Sequence, residues 1–505
     1  MYRKITVIAA LLLLLATATA AFAEDKGDSG TDAETGTIFT LWPLLDYRDS
    51  PKDDYRNLSL LGPLFKFQQN KEGRDTAVRP LFYRTASRQN DTSSSEYLYP
   101  LASRDVSPEV TTFQVLKLIQ SNSYRKHEPE EQDETMFFPF YISGRSEKYG
   151  PYTAVVPFYG HIYERFWRDE YHFVLFPLYG RTVKKGTTTS NYLYPFFSTI
   201  HGERESGFQF WPLYGQSAKE GSYSKHFALW PFIFVENLGL DTDNPTHKLS
   251  VLPLYSATDS PQKKSRSYLW PFFGYTEDVA KDQHEVDYFW PFWLTVRGSK
   301  RNVTSLLPFY SEDQGRENLK RWYMWPLLKH EEIRSPSYTQ DLDRVLFFLY
   351  SDSRETWVKD GSERRRTAFW PLFVFKKETR GVKSLTMPAP VEPVFDREGI
   401  EKNWAPLWRV YQQRWDDAGE SAVSFLWNLY WHEVRQDGIA YELFPFVQYQ
   451  SNVKKSDLRL LKGLIRYRVD NGKKSLSLFW LPFGFNWGAA ADASAEVSAI
   501  PRSKQ

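Results

Sequence analysis

The chain has no cysteine among its 505 residues. Disulfides, thiolate metal sites, a thiol nucleophile and a lipid-modified N-terminal cysteine are all excluded. It also lacks charge of one dominant sign: 64 basic side chains face 62 acidic ones, a net charge of +2. The largest basic cluster is only Arg364-Arg365-Arg366. Such a balance leaves no electrostatic footprint for a polyanion, so no nucleic-acid partner is expected. Long apolar runs are missing too, since none approaches the roughly 18 residues of a membrane-spanning helix.

The one apolar stretch of note, Ile5 to Leu15, follows Arg3 and Lys4 and precedes Ala21-Phe22-Ala23. A short basic region, a short apolar core and small residues at a cleavage site read as a secretory signal peptide over 1–23. The expected mature chain begins at Glu24. Export without cysteine suits a bacterial envelope, in the periplasm, the outer membrane or the cell surface. Residues 24–36 read as an acidic linker, 37–487 as one continuous repeat array and 488–505 as a disordered tail.

Aromatic residues are abundant, at 17%, with 18 Trp, 31 Tyr and 37 Phe. Many fall in one recurring phrase: Trp42-Pro43-Leu44, Tyr194-Pro195-Phe196, Trp270-Pro271-Phe272, Trp325-Pro326-Leu327, Phe444-Pro445-Phe446. Proline holds the centre from Pro43 to Pro482, including Pro406. Phe348 and Asn428 take its slot in two copies, and degenerate copies surround Lys117, Pro388 and Gly463. About 24 copies result, spaced about 19 residues apart, a period typical of repeat architectures. The residue after the centre is Leu or Phe in every clear copy, and Trp recurs just before it, at 42, 211, 230, 270, 290, 325, 370 and 427. A Tyr-Gly or Tyr-Ser ending follows several copies, as at Tyr214-Gly215 and Tyr255-Ser256.

Between phrases the chain turns polar and carries glycine, as at Lys184-Lys185-Gly186 and Arg297-Gly298-Ser299. These segments predict hairpin turns joining extended arms of about 8 to 13 residues. The expected fold is all-β: a tandem-repeat antiparallel meander of about 24 strand units, closed or wrapped into a shell or barrel-like structure. In a strand, alternate residues face opposite sides, and runs such as Tyr288-Phe289-Trp290-Pro291-Phe292-Trp293-Leu294 would be apolar on both. The phrase is thus expected to be the buried centre of each arm, with the Leu or Phe after the proline as its core residue. Proline there demands a bulge or kink, or else two short strands meeting at it. The stretch 376–404 is the least regular.

Chemistry-bearing motifs are incomplete. His432-Glu433 and His330-Glu331 open like a zinc-protease motif, but Gln436 and Arg334 stand where the second ligand belongs. Both are expected in solvated turns. Asp241-Thr242-Asp243-Asn244 lacks the glycine and the bidentate glutamate of a calcium loop. Asp416-Asp417 is one carboxylate pair among 62 acids. No nucleophile elbow, phosphate loop or dinucleotide fingerprint occurs. No catalytic, cofactor-binding or metal-binding residue is assigned, and no enzyme is expected. The reading is a non-enzymatic exported envelope protein acting as scaffold or binding surface, its candidate partners an envelope glycan, a lipid or the outer membrane. The alternative is an outer-membrane β-barrel, a porin-like channel or a lipid or solute conduit.

Overall fold

The structure is a computed structural model and describes residues 37–51, 54–125, 133–395, 397–479 and 484–488. The expected signal peptide and acidic linker lie outside these residues, as does the expected tail apart from Gly488. The described residues form one antiparallel sheet of 46 strands, from β1 (Thr37–Leu41) to β46 (Gly484–Trp487). Each strand pairs with its sequence neighbours, so the sheet is a plain meander. Strands run four to eight residues. Among the described residues no ladder joins β1 to β46, so the sheet does not close into a barrel.

The all-β meander is as the sequence predicts, but the count of about 24 strand units is corrected. Among the described residues, each phrase except the one at Pro406 is a turn between two short strands, so one phrase yields a hairpin rather than a strand. In the first, the N–H of Leu44 donates to the carbonyl of Leu41 at 2.8 Å, with Pro43 third in the turn. Leu213 to Phe210, Leu254 to Val251 and Phe309 to Leu306 repeat the bond at 2.9 Å. The X–Pro bond is cis in these turns, as at Trp42-Pro43 and Leu252-Pro253, and the geometry is that of a type VI turn. Proline's missing N–H leaves no hole in a ladder, because this slot lies outside it. Its carbonyl is used: Gly62 donates to Pro43 at 2.7 Å and Trp230 to Pro212 at 2.7 Å. Successive turns are also stitched together, with Leu61 donating to Leu44 and Leu269 to Leu254. Of the two alternatives for the proline, two short strands meeting at it is the correct one.

Pro406 is a further correction. It lies in a short helix, α2 (Ala405–Trp408), preceded by α1 (Glu398–Asn403), and marks no sheet turn. Connections of the other kind are polar hairpins. Lys185 and Gly186 have φ of 49° and 80°, the left-handed pair that a two-residue turn matched to strand twist requires. In a meander, alternate connections fall on opposite edges. All proline-phrase turns therefore line one edge of the sheet and the polar turns line the other.

The expected burial of the phrase is overturned. Leu254 and Phe158, each just after its proline, are both 62% exposed. The reason is that a turn projects past the strand ends, where no second layer covers it. Buried apolar residues are few and local. Ile142, Tyr152, Ala154 and Ile162 form one cluster, with Phe173 packed against it, and Ala368, Val374 and Ala389 form another. The sheet is for most of its length a single layer held by ladder hydrogen bonds and cross-strand pairs.

Candidate interaction surface

Strand register divides the sheet into two unlike faces. Starting at Leu41, direct partners along the proline edge run Leu45, Leu60, Phe65, Val78, Phe82. Further on come Tyr179, Tyr192, Phe197, Phe210 and Tyr214, then Trp293, Leu306, Tyr310 and Tyr323. From β1 to β45 (Lys473–Leu478) every strand contributes an apolar or aromatic residue to this rung, ending at Leu478. A bulge between Asp287 and Phe289 interrupts the direct register but keeps Phe289 opposite Trp293 on the same face. Rings touch along the ladder: Phe197 stacks on Phe210 at 4.8 Å, and Tyr310 meets Tyr323 at 5.4 Å. Much of the ladder is exposed, including Tyr159, Tyr192, Phe197 and Trp293.

The opposite face is mostly small or polar in the same row, with Phe173, Phe227, Trp322 and Trp431 as large exceptions. Gln209, Gly215, Ser250, Ser256, Ser305 and Ser311 sit there, and so does Asp46 near the start. Glycine has a local reason at Gly160 and Gly215. A Cβ on Gly160 would lie 2.2 Å from Phe173, and one on Gly215 would lie 2.2 Å from Phe227. The ring of the next strand occupies the space that the missing side chain leaves.

Through this polar face, and through the phrase turns at Trp42, Arg79 and Tyr99, the first strands of the sheet are clasped to residues 402–433. Trp42 donates its indole N–H to the carbonyl of Leu426 at 2.8 Å, and Arg79 donates to the carbonyl of Lys402 at 2.6 Å. Trp404 donates to the carbonyl of Tyr99 at 2.8 Å. Asn428 bonds Asp46, Asn403 bonds Glu96, and Arg48 pairs with Glu433. The partners of residues 42–48 fall at 426–433 and those of residues 79–99 at 402–404. Arg48 also lies 4.6 Å above the ring of Trp431, which is 1% exposed. Burial would lower the Arg48 pKa, but Asp46 and Glu433 outweigh it and hold the guanidinium raised. A hollow of about 470 Å³ lies in the clasp, lined by Arg48, Lys376, Glu401, Arg409 and Glu433 among others. Its charges are spent on one another: Arg409 pairs with Glu401 and Glu392, and Lys376 lies 3.0 Å from Glu401.

The motif residues stay scattered. His330 and His432 lie in strands β32 (Leu328–Arg334) and β40 (Tyr430–Arg435), not in the turns expected for them. His330 bonds Asp343 at 2.7 Å and Glu332 at 2.9 Å, and these carboxylates raise its pKa. Asp241 and Thr242 sit in a turn, with Thr242 donating to Gly239 at 2.7 Å. The structure does assemble one group that sequence reasoning missed. His161, His172 and Glu170 meet on paired strands, with His161 at 2.8 Å from Glu170 and 5.1 Å between the imidazole centres. Burial, then His161, lowers the His172 pKa. Among the described residues, no group of three or more His, Asp or Glu side chains is placed to hold a metal ion. A second hollow of about 660 Å³, lined by Tyr124, Glu134, Tyr152, Tyr163 and Arg165 among others, also holds Ser146, whose hydroxyl donates to Glu164 at 2.6 Å, and no histidine lines it.

No known protein family matches the chain, and no curated protein matches its sequence. The surface that stands out is thus the proline edge with its ladder, continuous over nearly the whole sheet.

Proposed function

We propose that this chain is a non-enzymatic, exported envelope protein that acts as a scaffold, using its proline edge as an extended binding surface. The observation that carries the reading is the unbroken apolar ladder from Leu41 to Leu478 beside exposed apolar turns. A soluble monomer rarely exposes a contiguous apolar patch above about 300–600 Å², and a larger one marks an interaction site. A wrapped shell, drawn together by the clasp, is the arrangement we favour. The barrel alternative draws support from the meander and the aromatic band. Against it stand strands of four to eight residues, where a transmembrane strand needs roughly 9–11.

Bilayer conductance tests the choice. Purified mature protein added to planar bilayers should give no steady channel, and its gel mobility should not depend on heating. Stable unitary conductance with a heat-dependent mobility would establish the barrel instead.

A further inference from the structure

Resting on that reading, we infer that the proline edge seats in a single leaflet of a phospholipid membrane, without crossing it. The ladder residue of every strand from β1 to β45 is uncharged, and the turn tips add exposed Leu44, Phe158, Leu254, Phe292 and Phe309. Trp230, Trp270, Trp290 and Trp325 are also exposed along this edge. Trp and Tyr are the residues that settle at membrane–water boundaries.

Two residues beyond the ladder, the same face bears His161, Arg181, Arg266, Glu312, Arg321, His330, Asp343 and Asp352. That spacing is about 6.6 Å at the strand rise. Adding the turn gives an apolar height of about 10 Å, the depth at which interfacial elements sit in a membrane. It is about a third of the ~30 Å hydrocarbon core. A spanning barrel would need an apolar residue in this row of every strand; Phe67, Phe113, Phe208 and Leu249 provide one, but the eight strands bearing those charged or histidine side chains do not.

Forty-five rungs at about 4.8 Å each make a strip roughly 200 Å long, and at ~10 Å height about 2,000 Å² of apolar surface. A standard protein interface takes about 800 Å² from each partner, in one compact patch. The ladder residues carry no charge, and their polar groups are mainly the hydroxyls of tyrosines such as Tyr179, Tyr192 and Tyr310, a residue type that settles at membrane–water boundaries, so a fluid leaflet can cover this long, shallow, uncharged strip at any curvature. A second copy of the chain is the competing occupant.

The absence of cysteine makes the test clean. Single-cysteine variants Leu254→Cys and Phe158→Cys at the proline edge, and Lys219→Cys at the polar edge, are labelled with an environment-sensitive fluorophore. Each is mixed with vesicles of phosphatidylethanolamine and phosphatidylglycerol. We expect a blue shift and a several-fold rise in emission at 254 and 158, none at 219, and stronger quenching by shallow than by deep nitroxide lipids. A flat response at both edge sites in folded protein overturns the inference. So does an equal response at 219, which would mean a spanning protein, or a concentration-dependent shift without vesicles, which would mean a second copy. A steady channel in the conductance assay would instead remove the scaffold reading, so the two failures are told apart.

Discussion

Replacing Trp431 by alanine should open the clasp while leaving the rest of the sheet folded. Trp431 is 1% exposed, and Arg48 lies over its ring at 4.6 Å while pairing with Glu433. Truncating a buried Trp costs about 3–5 kcal/mol, the lost transfer energy plus the cavity. The cation–π contact contributes roughly 0.5–2 kcal/mol of similar origin, part of it already inside that figure. At 1.36 kcal/mol per tenfold, 3–5 kcal/mol raises the local opening constant by about a hundredfold to several thousandfold. In a meander each strand touches mainly its neighbours, so the cost should stay local. Hydrogen–deuterium exchange reads it directly. Amides of β2 (Leu45–Ser50) and β40 should lose protection, while those of β19 (Glu205–Phe210) and β20 (Tyr214–Lys219) should not change. Unchanged protection in β2 would refute the clasp. Uniform loss across β19 and β20 would refute the local, neighbour-by-neighbour account of stability.

Two further predictions concern the polar face. Gly160→Ala should destabilise its hairpin by about 1–3 kcal/mol, because the new Cβ would lie 2.2 Å from Phe173 and 2.7 Å from the Ala154 Cβ. Gly180→Ala, with nothing within 4 Å of its Cβ, should instead stabilise by about 0.5–1 kcal/mol, and denaturant melts that rank the two the other way would contradict the packing described. Burial, and then Glu285, push the Asp287 carboxyl up to about 6 from 3.8. A raised folded pKa means the native state holds the proton more tightly. Stability around β27 (Gln283–Phe289) should therefore fall as pH rises from about 4 through 6, and Asp287→Asn should flatten that slope in exchange measured across the range.

The antiparallel meander was legible because polar, glycine-bearing segments such as Lys184-Lys185-Gly186 announce hairpins by local chemistry. The role of Trp-Pro-Leu was not. A seven-residue apolar run is equally compatible with a strand covered on both faces and with a turn flanked by two half-apolar strands. Only the tertiary fact that no second layer covers the sheet decides between them. Proline's missing N–H was the clue that pointed the right way. The alternation in Phe65-Lys66-Phe67 and Tyr179-Gly180-Arg181, with an apolar ladder residue outside and a polar or small one inside, became readable once the strands were cut at the proline. The clasp left no local trace, since Arg48 and Glu433 lie 385 residues apart and nothing in either segment points to the other. The helices at 398–408 are too short for a periodic pattern to reveal.

Whether the proline phrases form an uncovered edge of the sheet can be read from cysteine reactivity in lipid-free, detergent-free protein. Leu254→Cys and Phe309→Cys, at sites 62% and 60% exposed, should react with a water-soluble maleimide within about tenfold of their rates in denaturant. Ala154→Cys, at a site 0% exposed, should react at least about a thousandfold more slowly until the hairpin opens. If the cysteines at 254 and 309 are as protected as the one at 154, the phrases are a buried core and the edge described here does not exist.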